Sequence, residues 1–349
     1  ISEYNGHMFP TKPFDDEEHR TEHAIRHANV LNAVAQEPDI AGSFGWCMFD
    51  YNTHKDFGSG DRICYHGVMD MFRNPKPAAA IYASQEAKKP VLELSSTMDI
   101  GEHPACNRGD TYLITNADCV QMFKNNILIK EYTQKDSGYK HLAHGPILID
   151  DYVGDVLVKE EGYSKRQAKI VKDGLNQVAM HGMRLTPKLL WDVLQLLLLY
   201  HMNPNEAVRL YNKYVGDWGG ESKQYRFDAI KDGKVVRSLI KTPMKKAALA
   251  VQASATCLIE GITYDVIELR VRAVDEYGNQ LYYMQEALTV TTEGPVEVIG
   301  PNIVPLRGGA TGIYIKSTGR SGAAGVTLQC EGMETITIPL EVQQIREDN

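Results

Sequence analysis

The sequence predicts a mixed fold, α/β at its start and β for most of the remainder, on three observations. Residues 1–87 run strand, helix, strand, loop, helix, an order that brings strands together in parallel. The turn pairs Asn125-Asn126 and Asp232-Gly233 each lie between apolar runs and read as hairpins. Beyond Leu249, "IELRVRAVDEYGNQL" and "GVTLQCEGMETITIPLEV" alternate apolar with polar residues, and Gly-rich turns separate the runs. That last pattern is expected of an immunoglobulin-like β-sandwich, without a Cys…Trp…Cys signature.

Taken in order, "ISEYNGHMFP" opens with a short strand carrying Glu3. Acidic residues then introduce a helix over about Asp16–Gln36, as the helix dipole favours. Ala24, Ala28, Leu31 and Ala35 fall on one face of it. "IAGSFGWCMFDY", Ile40–Tyr51, reads as a second, buried strand, and a polar loop follows to about Arg62. "NPKPAAAIYASQEA" is a short helix introduced by proline. Two strands do not make a stable parallel sheet, so the rest of the sheet is expected upstream. With no initiator Met at Ile1, the chain is expected to be the later piece of a longer protein.

Antiparallel strands are expected over about 88–150. A helical insertion is expected over about 160–218, with Ser164, Thr186 and Asn203 as N-caps and Gly182 as a terminator. The hairpin "YRFDAIKDGKVVRSLI" should complete the sheet begun near Tyr112. The expected domains are therefore 1–87, 88–248 with its insertion, and 249–349.

At 349 residues the chain has room for about two to three domains. The net charge of −8, with no basic patch among aromatics, argues against a nucleic-acid partner. Six scattered cysteines without a CxxC pair argue against a zinc site or a disulfide framework. They favour a reducing, cytoplasmic compartment. The most apolar run, "LLWDVLQLLLLY", is too short to span a membrane and contains Asp192 and Gln195, so it reads as a buried core helix.

Chemistry concentrates near the start. A carboxylate such as Glu3, at the C-terminal end of a parallel barrel strand, faces an active-site mouth. There it serves as nucleophile or general acid; otherwise it is a strand-end residue in a salt bridge. Trp46 is an aromatic for the apolar face of a sugar, or a core tryptophan. Asp50, His54, Asp56 and Asp61 crowd a loop that either binds hydroxyls or is merely solvated. His19, His23 and His27 are four apart on one helix, but no HExxH accompanies them and no metal or cofactor is expected.

Three stretches, "ISEYNGHMFP", "IAGSFGWCMFDYNTHKDFG" and "RICYHGVMDMFRNPKPAAAIYAS", together resemble the end of the catalytic barrel of glycoside hydrolase family 2, the β-galactosidase-like enzymes. The resemblance implies a (β/α)8 barrel entered at its seventh strand. Glu3 matches the nucleophile that ends that strand. Trp46 matches the tryptophan that ends the eighth strand and lines the sugar pocket. Gly67, Asp70, Arg73, Pro75, Lys76 and Pro77 match the stretch by which the chain leaves the barrel. Later runs, among them "YLITNADCVQMFKNNILI" and "TTEGPVEVIGPN", resemble the family's C-terminal β domains; residues 160–218 have no counterpart. His7 lies four residues after Glu3 where the β-galactosidases carry a sugar-contacting His at three. His66 stands where they often carry Asn.

The resemblance implies retaining hydrolysis of terminal β-glycosides by double displacement. Its acid/base Glu, from the fourth barrel strand, is absent from this sequence, so the chain alone is expected to be inactive. The expected partners are a β-galactoside or related carbohydrate, the missing N-terminal part of the enzyme and, through the inserted helices, other copies in a homo-oligomer. The alternative is a noncatalytic carbohydrate-binding or assembly fragment. An apolar patch left on those helices would favour assembly.

Overall fold

The computed structural model describes residues 1–5, 9–57, 60–86, 88–99, 101–182, 184, 186–216 and 223–345. They form two units. The first holds Ile1–Phe9, Asp16–Cys47 and Pro77–Pro243; the second holds Pro10–Asp15, Met48–Lys76 and Met244–Asn349.

In the first unit, α1 (Glu17–Gln36) starts at Asp16, whose Oδ1 accepts from the His19 amide at 2.7 Å. Ala24 and Ala28 are fully buried on it, as their spacing predicts, but Ala35 is exposed. His23 and His27 are buried on it as well, along with Arg20, Thr21 and Ile25. The short helix α2 (Pro77–Ala83), with Pro77 in its first turn, packs on α1.

Two antiparallel sheets follow. One orders Leu92–Leu94, Tyr112–Thr115 and Ile147–Leu148. The other orders Ile127–Thr133, Cys119–Lys124, Tyr225–Lys231 and Lys234–Lys241. Both hairpin turns need left-handed backbone: φ is 48° at Asn125, 66° at Asn126, 51° at Asp232 and 72° at Gly233. Asn, Asp and Gly tolerate that region best, which is why those pairs mark the turns. The second hairpin joins the sheet begun at Cys119, and not that of Tyr112 as expected. The Asn116-Ala117-Asp118 break separates the two sheets, and the Asn116 side chain there accepts from the Val91 amide at 2.8 Å.

The helices are α3 (Val156–Glu160), α4 (Lys165–His181), α5 (Pro187–Leu199) and α6 (Pro204–Tyr214). The side chains of Ser164, Thr186 and Asn203 cap the last three as predicted, and Gly182 ends α4 at φ 65°. Val171, Leu175 and Ala179 of α4 and Leu210 of α6 share one core with Leu92, Met122, Tyr132 and Phe227 of the sheets.

Two sequence expectations fail here. The Leu189–Tyr200 run is helical, but it is not a core helix. Only Leu189 and Asp192 are buried, while Trp191 is 62% and Leu198 64% exposed. Its residues are apolar all round, and one strip alone reaches α4. Nor is Ile40–Tyr51 a buried strand. It makes single parallel bridges, Gly45 to Tyr4 and Phe49 to Met69, and leaves Phe44 and Met48 exposed. Parallel pairing needs flanking strands to bury both faces, and a single bridge to Tyr4 gives this segment too little cover.

In the second unit, Tyr51–Asn52 pairs with Ile63–Cys64. Two larger sheets lie beyond. The first orders Ala248–Ala253, Val266–Val274, Ala310–Ser317 and Val296–Ile299. The second orders Cys257–Glu260, Ile336–Gln344, Gly322–Cys330, Ala287–Glu293 and Ile303–Pro305. Leu269, Val271, Ile313 and Ile315 of one share a core with Val290, Leu328 and Val342 of the other. Alternating burial along Val266–Val274 and Ala310–Ser317 is what the sequence period demanded.

Phe227 is fully buried at the centre of the first core. Phe227→Ala should cost about 3–5 kcal/mol in urea unfolding. Leu198→Lys, on the exposed face of α5, should change stability by less than about 0.5 kcal/mol.

Candidate active site

In the first unit the segments that carry Glu3 and Trp46 pair through the backbones of Ile1, Tyr4, Phe44 and Trp46. The Phe44 amide donates to Ile1 O at 3.2 Å, the Tyr4 amide to Phe44 O at 3.2 Å, and the Trp46 amide to Tyr4 O at 2.8 Å. This is a short parallel ladder, the pairing the strand order predicted, and it sets Glu3 and Trp46 on adjoining segments. Glu3 is exposed and Trp46 is 39% exposed. The Trp46–Cys47 peptide is cis.

The ladder is anchored from behind. The Tyr4 hydroxyl lies 2.7 Å from the Tyr82 hydroxyl, and that lies 2.8 Å from His27 Nδ1. Burial, and then the bond with Tyr4, holds the Tyr82 phenol well above its usual range. A Cβ at Gly45 would sit 2.5 Å from the Tyr82 hydroxyl oxygen and 3.2 Å from the Tyr4 ring. Glycine is therefore required where the Trp46 segment crosses Tyr4. Tyr82 did not stand out in the sequence as a site residue, and His27 did so only as one of three histidines weighed for a metal. The one available signal was that His27 recurs on the inward face of α1 among small residues.

Asp50, His54 and His66 belong to the second unit. Asp50 is not on an open polar surface: its side chain is 1% exposed and pairs with Lys76, whose side chain is 4% exposed, at 2.8 Å. Its Oδ1 also accepts from the Gly67 amide at 2.8 Å, and Lys76 Nζ donates to Thr11 O at 2.6 Å. Burial pushes the Asp50 carboxyl up to about 6, against the opposing pull of Lys76. His66, next to Gly67, is buried. His54 is exposed, its Nδ1 3.2 Å from the Asp56 amide and its ring stacked on Phe57. His7 lies outside the described residues. Lys76 was read only as part of a motif, although a lysine between two prolines at a helix start was its signal.

Among the described residues, no cluster of three or more His, Cys, Asp or Glu side chains is placed to hold a metal ion. His23 and His27 are instead packed ring edge to ring face, with centroids 5.0 Å apart. The first unit thus carries an exposed carboxylate and a 39% exposed indole on two paired segments of a braced backbone.

No family model matches the chain. It is 33% identical over 314 residues to a β-galactosidase of Thermoanaerobacterium thermosulfurigenes, covering 89% of this chain and 36% of that protein. It is 28% identical over 315 residues to a β-galactosidase of Rhizobium meliloti, covering 89% of this chain and 34% of that one. The chain thus spans about a third of the length of the curated relatives it matches. In fold it is similar to a β-glucuronidase of glycoside hydrolase family 2, with TM-score 0.59, 14% identity and coverage of 100% of this chain and 32% of that one. It is also similar to a β-glycosidase of Bacteroides vulgatus, with TM-score 0.57, 15% identity and coverage of 90% and 32%.

The raised Asp50 carboxyl has a measurable consequence. Its folded value, about 6, exceeds the ordinary 3.8, so the folded state takes up this proton first as pH falls. The group's contribution to stability therefore rises as pH drops from above 6 to below 4. Relative to Asp50→Asn, the wild-type chain should gain on the order of 2–3 kcal/mol between pH 7 and pH 4 in urea unfolding. An unchanged difference would contradict this titration. Tyr82→Phe removes the middle of the Tyr4–Tyr82–His27 chain and should cost about 1–3 kcal/mol in the same assay.

Proposed function

The chain is a relative of the β-galactosidases of glycoside hydrolase family 2 and matches about a third of their length, and on that premise we propose that it is the C-terminal part of a retaining β-glycosidase. Residues 1–87 would supply the last two strands of a (β/α)8 barrel. Residues 88–248 and 249–349 would supply two immunoglobulin-like sandwiches, the first with the helices as its insertion.

The observation that supports this reading is the parallel bridge of Tyr4 to Gly45, which pairs the segment that carries Glu3 with the one that carries Trp46. Glu3 would attack the anomeric carbon of a terminal β-glycoside, forming a covalent glycosyl ester as the aglycone leaves. A second carboxyl group, from outside this sequence, would protonate the leaving oxygen and then activate the water that cleaves the ester. Retention requires the two carboxyl groups about 5–5.5 Å apart. Trp46 would stack on the apolar face of the sugar, and His7, His54 and His66 are proposed as further substrate-binding residues. Asp50 would act indirectly, by holding Gly67 and so the backbone that carries His66. A galactoside is the first substrate to test, as the relatives are β-galactosidases.

Treatment with 2-deoxy-2-fluoro-β-galactosyl fluoride, followed by peptide mapping, tests the assignment. The label should fall on Glu3 when the chain is part of the whole enzyme, and the chain alone should neither be labelled nor hydrolyse aryl β-galactosides. A label on another carboxylate would overturn the role of Glu3. In the whole enzyme Glu3→Gln should lower kcat by roughly three or more orders of magnitude.

A further inference from the structure

One hydroxyl in the first unit touches both segments of the candidate active site. The Tyr82 oxygen lies 2.7 Å from the Tyr4 hydroxyl, and Tyr4 directly follows Glu3. The same oxygen lies 2.5 Å from where a Cβ at Gly45 would stand, and Gly45 directly precedes Trp46. We propose that Tyr82 is a positioning residue for the glycosidase reaction. Through Tyr4 and Gly45 it sets the separation of the segment that carries the nucleophile from the segment that carries the sugar-stacking indole. The inference rests on the reading of Glu3 as nucleophile and Trp46 as stacking residue.

The anchoring of Tyr82 supplies the first argument. Its oxygen is bonded from two sides, by the Tyr4 hydroxyl and by His27 Nδ1 at 2.8 Å. His27 is fully buried on α1, and its ring meets that of Tyr82 edge to face at 5.6 Å between centroids. Tyr82 itself lies on α2, which packs on α1. The hydroxyl is therefore set by two packed helices and not by the irregular segments it touches. A group held in that way keeps its place more closely than one on a loop.

The point of contact supplies the second. Tyr4 and Gly45 are the bridged pair of the two segments, so the hydroxyl bears on the pairing itself. Regular pairing gives the Trp46 segment little hold, since this bridge stands outside any strand. The Trp46 amide donates to Tyr4 O. A shift of Tyr4 thus moves Glu3 along the chain and Trp46 across the bridge. Misplacing a reacting group by about 1 Å costs on the order of a hundredfold in rate.

The test uses the whole enzyme and 2-deoxy-2-fluoro-β-galactosyl fluoride. Glu3 would displace the fluoride from the anomeric carbon and keep the sugar as an ester. Its rate of labelling reads the placement of the nucleophile, and the final extent of labelling counts the intact sites. Tyr82→Phe should label Glu3 to the wild-type extent, at a rate lowered roughly ten- to a hundredfold. Gly45→Ala, which crowds the same oxygen, should also slow labelling. Its effect should be smaller in the Tyr82→Phe background, where that oxygen is gone. Labelling of Glu3 in Tyr82→Phe at the wild-type rate overturns the inference, as does a loss confined to the extent, which marks a merely structural role. Should Tyr82→Phe fail to fold, Gly45→Ala decides, and a wild-type rate there overturns the inference. A wild-type enzyme labelled on another carboxylate, or on none, overturns the reading of Glu3 and this inference with it.

Discussion

The buried ion pair between Asp50 and Lys76 is the constraint on which the second unit turns. Neither side chain reaches water to any useful extent. Their partners come from segments far apart in sequence. Lys76 reaches the carbonyl of Thr11, Asp50 reaches the amide of Gly67, and the Thr11 amide in turn donates to Tyr65 O. Four loop segments are thereby drawn to one point. Loops that carry little regular structure are otherwise hard to hold. Gly67 makes the approach possible: a Cβ there would fall 2.3 Å from the Asp50 amide nitrogen and 2.4 Å from Met69 O. Burying such a pair brings little net stability, but losing either partner leaves a charge stranded. The arrangement gives position more than strength.

A different device serves the first unit. There the backbone segments that carry Glu3 and Trp46 are braced by neutral hydrogen bonds from Tyr82 and His27. Charge is kept off the brace and left on the exposed Glu3.

Local chemistry in the sequence was read well. The caps Ser164, Thr186 and Asn203 and the turns Asn125-Asn126 and Asp232-Gly233 depend on side chains bonding their own backbone or on left-handed φ, and neighbouring residues decide both. Burial was harder. The Leu189–Tyr200 helix and the Ile40–Tyr51 run are apolar enough for a core, yet apolarity does not say whether a partner surface is present. The pairing of Tyr225–Lys231 with Cys119–Lys124, and not with Tyr112–Thr115, depended on a break at Asn116 that composition alone did not weight. At the candidate site, the parallel approach of the Glu3 and Trp46 segments was legible because the strand-helix-strand order implies it. Asp50 was misjudged as a surface residue because its partner Lys76 lies outside its own loop, and Tyr82 went unseen because its role rests on a contact with residue 4.

The second unit is assembled from stretches that are far from contiguous. Arg73 meets Glu268 across 195 residues of chain, and Phe72 packs on Gly312. During synthesis, Met48–Lys76 leaves the ribosome long before Met244–Asn349, and all of Pro77–Pro243 emerges between them. The sheets of Pro77–Pro243 can close locally in that interval, whereas Phe72 and Arg73 must wait for Gly312 and Glu268 in the last strands. The early loops are thus born unfinished, and a nascent chain paused before residue 244 would hold them open to chaperones and proteases.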